Sequence, residues 1–293
     1  QALIMVAYNP KDWFGLIFKF HKADTFRKLF WVLVSMTIYS GLVVYIEKEV
    51  LDLKYAGSSE IHSLTGLVIS LLLVFRTNTA YDRWWEGRKQ WGALVNVSRN
   101  FALKLSTFIP GEKLQKKREM AEMIAAYAHI LKDHLRIDDA EQLSKLLPEN
   151  VIYDEANDHI PNTLALKIQE ELEIMYHEKQ IGESAYLALL NDLNAFTDIC
   201  GACERIKNTP IPYTYNIFLK KFVFIYTITM PFSFVETFGY WTILVTLFVL
   251  YAFASLEMIA EEIEDPFGTD SNDLPTDGIA QKISDNVRAI LNK

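Results

Sequence analysis

The chain has 293 residues, of which 51% are hydrophobic and 13% aromatic, while 23% carry charge and the formal net charge is −8. Such a mixture implies segregation into apolar and charged stretches. An acidic balance without a clustered basic face argues against nucleic acid as a partner, and two cysteines three residues apart supply no disulfide framework.

Residues 1–28 read as a cytoplasmic N-terminal segment. The stretch from Gln1 lacks a charged region followed by an apolar core and a small-residue cleavage site, so no cleavable signal peptide is expected. Leu29 to Ile46 carries no charge, and at about 1.5 Å per residue it crosses most of a hydrocarbon core about 30 Å thick. Ile61 to Phe75 is shorter and stops at Arg76, so it reads either as a second span or as a buried helix of a soluble core. Residues 29–82 are therefore predicted to hold transmembrane helices 1 and 2, joined by an outer loop from Glu47 to Glu60.

Residues 83–221 are too polar for lipid and predict a water-facing helical domain. Pro110 and Gly111 interrupt it before a helix from about Glu112 to Arg136, in which Met120, Ile124, Tyr127 and Leu131 recur at helical spacing. Pro148 and Pro161 bound an irregular connector, and further helical patterns run from Leu164 to Tyr176 and from Ser184 to Lys207. Residues 222–256 contain a single charge, Glu236, and are long enough for helices 3 and 4, with Glu236 and Thr237 near the reversal. Residues 257–293 form a cytoplasmic C-terminal segment with an acidic turn. Few residues read as strand, so the fold class is all-α.

Lysine and arginine set the orientation, because positive residues near membrane ends stay in the cytoplasm. Lys19, Lys22, Arg27 and Lys28 precede the first span, Arg76, Arg83, Arg88 and Lys89 follow the second, and Lys220 and Lys221 precede the third. Both termini are thus expected on the cytoplasmic side of the cell membrane. Trp84, Trp85 and Trp91 fit either an interfacial belt or packing within the cytoplasmic domain.

No catalytic constellation is evident, so no enzyme is expected. Glu173 and His177 share a helical face but not the three-residue spacing of carboxylate-bridged iron sites. Cys200-Gly-Ala-Cys203 has redox spacing without a preceding strand and crossover, and zinc would need a second ligand pair. The pair reads as two small helix-packing residues. Leu67, Leu71 and Phe75, spaced by four, fall on one helical stripe. That stripe is either ordinary packing or, if copies of the helix surround an axis, a series of apolar rings that control ions by dewetting.

Phe75-Arg-Thr-Asn-Thr-Ala-Tyr-Asp-Arg-Trp-Trp-Glu86 resembles the prokaryotic branch of the bestrophin family, with Arg83, Trp84 and Trp85 at its arginine and paired tryptophans. The segment from Gly201 to Tyr213, including Pro212, is similar to the one leading into that family's third membrane helix. Glu264-Asp-Pro266-Phe267-Gly268 is similar to the motif after the fourth. The resemblance spans essentially the whole chain. It implies a homopentameric channel for monovalent ions in a lipid bilayer, with Leu67, Leu71 and Phe75 as the rings of a narrow neck and a vestibule in the cytoplasmic helices. A second constriction would fall near Ile181 to Ser184. The acidic run ending at Asp270 and Asp273 resembles a calcium clasp of animal relatives, but Ser271 and Asn272 stand where those carry aspartates; a solvated turn, with Asp265 capping a short helix begun by Pro266, is the other reading. No cofactor is required. Arg76 would favour anions if it faced the pore, or would form a buried ion pair, with Asp82 as the partner suggested. An anion (chloride) channel is favoured on the family's membership. A monovalent cation channel and a non-conducting membrane scaffold are the alternatives.

Overall fold

The structure is a computed structural model that describes residues 25–51, 59–137, 139–148, 151 and 159–292. Lys19, Lys22, half of the predicted outer loop (52–58) and most of the connector between Pro148 and Pro161 lie outside the described residues. Those described form α-helices and one π-helical turn, with no strand among them. In chain order the helices are α1 (Thr25–Tyr45), α2 (Ser59–Phe108), α3 (Leu114–His134), α4 (Ala140–Ser144), α5 (Ile160–His177), α6 (Glu183–Asn208), α7 (Tyr213–Phe238), α8 (Trp241–Glu264) and α9 (Thr276–Leu291). The π-helical turn, Ile46–Val50, extends α1.

Four helices are long and apolar enough to cross a membrane: α1 with its π-helical extension, α2, α7 and α8. Two compact units divide the chain, one built from the segment ending at Arg83 with Pro210–Glu264, the other from Trp84–Thr209 with the segment from Asp265. The 50-residue α2 carries the chain from the first into the second. The apolar run was predicted to stop at Arg76, yet the helix passes through it. Arginine is a good helix former, and no proline intervenes before Pro110.

Within the first unit, Ile69 and Leu73 of α2 pack with Leu219, Val223, Tyr226 and Met230 of α7. A Cβ on Gly66 would collide with the Tyr226 hydroxyl, so glycine is what admits that ring against α2. His62 stacks on the same ring at 4.1 Å between centroids. The hairpin between α7 and α8 reverses at Gly239 and Tyr240, beyond the predicted Glu236 and Thr237. Gly239 takes φ +56°, a conformation in which glycine has no Cβ to strain, and its N–H donates to the Val235 carbonyl at 2.8 Å.

Arg76 is buried beside acidic partners from α8. Its Nη2 donates to Glu264 Oε2 at 2.6 Å, and its Nε lies 3.7 Å from Glu257 Oε2. Asp82, the partner suggested by the sequence, is exposed. Glu264 has further roles: its Oε1 accepts from the Ile211 N–H at 2.7 Å, and its main-chain carbonyl accepts from Arg83 Nε at 3.1 Å. One carboxylate therefore joins α2, the entry to α7 and the end of α8.

The second unit has a core that includes Trp91, Phe101, Tyr127 and Phe196. Trp91 is fully buried in it, so packing rather than an interfacial belt accounts for that tryptophan. The Tyr127 hydroxyl donates to the Phe196 carbonyl at 3.1 Å. Helix α9 lays Ala280, Ile283, Val287 and Leu291 into this core. Arg136 donates from Nε to the Phe267 carbonyl at 2.9 Å and from Nη1 to Asp277 at 2.8 Å, which ties the C-terminal segment to the end of α3.

Removing the Arg76 charge leaves Glu264 as a buried carboxylate without its ion partner, a class of change that costs about 3–5 kcal/mol. Arg76→Met should therefore lower the midpoint of thermal unfolding in detergent, and the added change Glu264→Gln should recover part of the loss. An unchanged midpoint in Arg76→Met would mean that the pair does not hold these helices.

Candidate functional site

Around the axis of α2 each residue advances about 100°. With Ile69 as origin, buried Leu73, Arg76 and Ala80 lie within about 40°, whereas Leu67, Leu71 and Phe75 lie about 160° to 240° away. These three are 68%, 54% and 56% exposed, against 0% for Ile69. Ordinary packing inside one chain therefore does not account for the stripe. It is an apolar face turned away from the chain's own core, on a helix whose opposite face is held by the α7 cluster and by Arg76. The guanidinium sits on that inner face rather than beside the stripe.

The residues after Arg76 brace neighbouring segments. Trp84 Nε1 donates to the Asn272 carbonyl at 2.9 Å, and Trp84 stacks on Trp85, which is exposed. Phe267 is buried, and its ring and Pro266 sit against Gly87, where any Cβ would approach them to 3.1 Å. Pro212 occupies the N-cap of α7, where its missing N–H costs nothing. The motif residues thus brace the chain beyond the apolar run of α2, at the start of α7 and after the end of α8.

The acidic turn forms no short helix begun by Pro266; α8 ends at Glu264 and the next helix starts at Thr276. The chain loops instead, with buried Asp273 accepting at Oδ2 from the Asp270 N–H at 2.6 Å. A Cβ on Gly268 would clash with that same oxygen at 2.7 Å. Of the residues predicted near a second constriction, Ile181 is buried in the core of its unit and Ser184 is exposed in the first turn of α6.

Burial raises the thiols of both cysteines, helped by the nearby Glu204 charge; Cys200 rises the further, and Cys203 is pushed up to about 12. Thiol exchange needs the thiolate, the form that burial disfavours at both cysteines. Glu173 and His177 do meet on the surface of α5, at 3.5 Å, as an ordinary exposed pair. Sequence reasoning missed Glu257 and Glu264 as the partners of Arg76, because nothing local links positions 188 residues apart. The signal that could have found them is a run of acids at the end of an apolar helix facing a lone arginine.

Residues 5–289 match the family described as Bacterial/Fungal Bestrophin protein. A voltage-dependent anion channel-forming protein of Nostoc sp. is 33% identical over 284 residues, covering 94% of this chain and 91% of the relative. The protein of that name in Synechocystis sp. is 38% identical over 232 residues, covering 77% and 75%. Among solved structures, that of a bacterial bestrophin homologue from Klebsiella pneumoniae superimposes with a TM-score of 0.83 at 28% identity, covering 90% of this chain and 99% of that one. The helical architecture, the bracing motif residues and a match across nearly the whole length place this chain in the bestrophin family.

Proposed function

We propose that this chain is one subunit of a passive anion channel in which five copies surround a single axial pore, with Leu67, Leu71 and Phe75 forming its narrow neck. The observation that carries the reading is the exposure of those three residues opposite the packed face of α2. An apolar stripe left uncovered by the chain itself suits a surface shared among copies around an axis, where stacked rings pass ions by partial dehydration rather than by binding them. Anion selectivity is supported by the Nostoc and Synechocystis relatives, which are named voltage-dependent anion channel-forming proteins. Apolar rings carry no sign of charge, so the sign must be set by groups elsewhere along the pore.

The channel would sit in the cell membrane with both termini cytoplasmic. Lys28, at the start of α1, pairs with Glu262 of α8, and Lys220, near the start of α7, pairs with Glu261 at 2.8 Å. The basic beginnings of two spans therefore lie level with the end of a third, as expected of one cytoplasmic border. The turn around Ser184 is the exposed part of the region assigned to a second constriction.

The turn from Asp265 to Asp273 is read as structural rather than as a calcium site. Calcium takes about six to eight oxygen ligands arranged around it. Here Asp273 Oδ2 is engaged by the Asp270 amide and the Asn272 carbonyl by Trp84, while Ser271 and Asn272 bring no carboxylate.

Purified protein in a planar bilayer under a potassium chloride gradient should give a current that reverses near the chloride potential. Reversal near the potassium potential would overturn the anion reading, and no current from an assembled oligomer would favour a scaffold. Replacing Leu67, Leu71 and Phe75 together with alanine should widen the neck and raise the flux at a given voltage. Equal flux in an assembled triple variant would place the constriction elsewhere.

A further inference from the structure

Outside the pore, the second unit gathers His134, His159, Cys200 and Glu204 so that one ligand atom of each lies within 4.8 Å of every other. The four come from three separate places in the fold. His134 ends α3, His159 is the N-cap of α5, and Cys200 and Glu204 are four apart on α6, hence on one face. Both imidazoles aim Nε2 at a single oxygen, Glu204 Oε1, at 2.6 Å from His134 and 2.7 Å from His159. Their rings stand 4.9 Å apart. Two imidazole nitrogens and a thiol converging beside one carboxylate make the donor set of a borderline divalent cation rather than of a simple ion pair.

We propose that His134 Nε2, His159 Nε2, Cys200 Sγ and a Glu204 carboxylate oxygen form a tetrahedral site for a divalent cation of the zinc class. With metal bonds of about 2.0–2.3 Å, the ligand atoms of a regular tetrahedron stand about 3.4 Å apart. Reaching that size opens the 2.6 and 2.7 Å nitrogen–oxygen pairs and closes the longer separations, which are at most 4.8 Å, by side-chain rotation of the order of an ångström. A cavity of about 720 Å³, lined by His134, Glu204, Asp139 and Lys207 among others, borders the cluster and gives the ion a path from solvent.

Binding has a definite proton balance. The Asn162 N–H donates to His159 Nδ1 at 3.2 Å, which leaves the ring proton of the neutral imidazole on Nε2, facing Glu204. Ligation through Nε2 moves that proton to Nδ1 and releases this long cap bond; the Nε2 proton of His134, which faces the same oxygen, moves to its Nδ1 likewise, and the Cys200 thiol gives its proton to solvent as the sulfur–metal bond forms. The ion would then fasten the end of α3, the start of α5 and the C-terminal part of α6. It also explains how zinc could use only one cysteine of the Cys-Gly-Ala-Cys pair: the remaining ligands come from 134, 159 and 204, not from a second cysteine motif. Cys203 is fully buried and is not among the four.

The test uses the full-length, untagged protein, stripped with chelator and titrated with cobalt(II) as a spectroscopic probe, then with zinc. One cobalt per chain should appear with the strong visible absorption of tetrahedral coordination and a thiolate-to-cobalt charge-transfer band, and zinc should displace it. Cys200→Ser should abolish the charge-transfer band, whereas Cys203→Ser should leave the spectrum unchanged. His159→Asn keeps an N-cap acceptor but removes a ligand, and should weaken zinc binding by at least about tenfold. Weak octahedral absorption in the wild type, or an unaltered spectrum in Cys200→Ser, overturns the site. If Cys200→Ser fails to assemble, undiminished affinity in assembled His159→Asn overturns it equally.

Discussion

A guanidinium buried among apolar helices has to be neutralised where it stands, and much of the first unit is arranged around that requirement. Arg76 can lie on the packed face of α2 because Glu264 and Glu257 reach it from α8. An uncompensated charge there would be expelled or would unfold its surroundings. Glu264 also receives the amide of Ile211 and, through its carbonyl, Arg83. The rotation of α2 about its own axis, the entry of α7 and the end of α8 are thereby set by one cluster of charges.

That rotation determines what α2 presents to the outside. With Ile69, Leu73 and Arg76 committed inward, Leu67, Leu71 and Phe75 are turned away from the core. A helix that carried only leucines could rotate to bury any of its faces at similar cost, since apolar contacts are non-directional. A charge pair with hydrogen-bond geometry removes that freedom. The proposed neck thus depends on a polar interaction that never touches the permeating ion.

The second unit uses a similar device. Its core is ordinary aromatic and aliphatic packing, but the segments that begin and end helices are held by directed bonds: Trp84 to Asn272, Arg136 to Phe267 and Asp277, and the two histidines to Glu204. A cation at this last cluster would replace hydrogen bonds that share one carboxylate oxygen by four bonds directed to a centre, which is a stiffer link between the same three helices.

Local pattern alone determined the four apolar spans, the all-helical class, α3, α5 and α6 of the second unit to within a few residues but not α4 or α9, and the stripe of Leu67, Leu71 and Phe75. Each of these depends on spacing along the chain, which hydrophobic periodicity and proline or glycine punctuation report directly. The reversal between α7 and α8, expected near Glu236 and Thr237, falls at Gly239, where glycine accommodates a positive φ. Only the tertiary structure decided that Arg76 pairs with Glu257 and Glu264 instead of Asp82, that the stripe faces away from the chain's own core, and that His134 and His159 meet Cys200 and Glu204. These are meetings between residues remote in sequence. Their geometry follows from how whole helices pack, and no periodicity within one helix encodes where another will place its side chains.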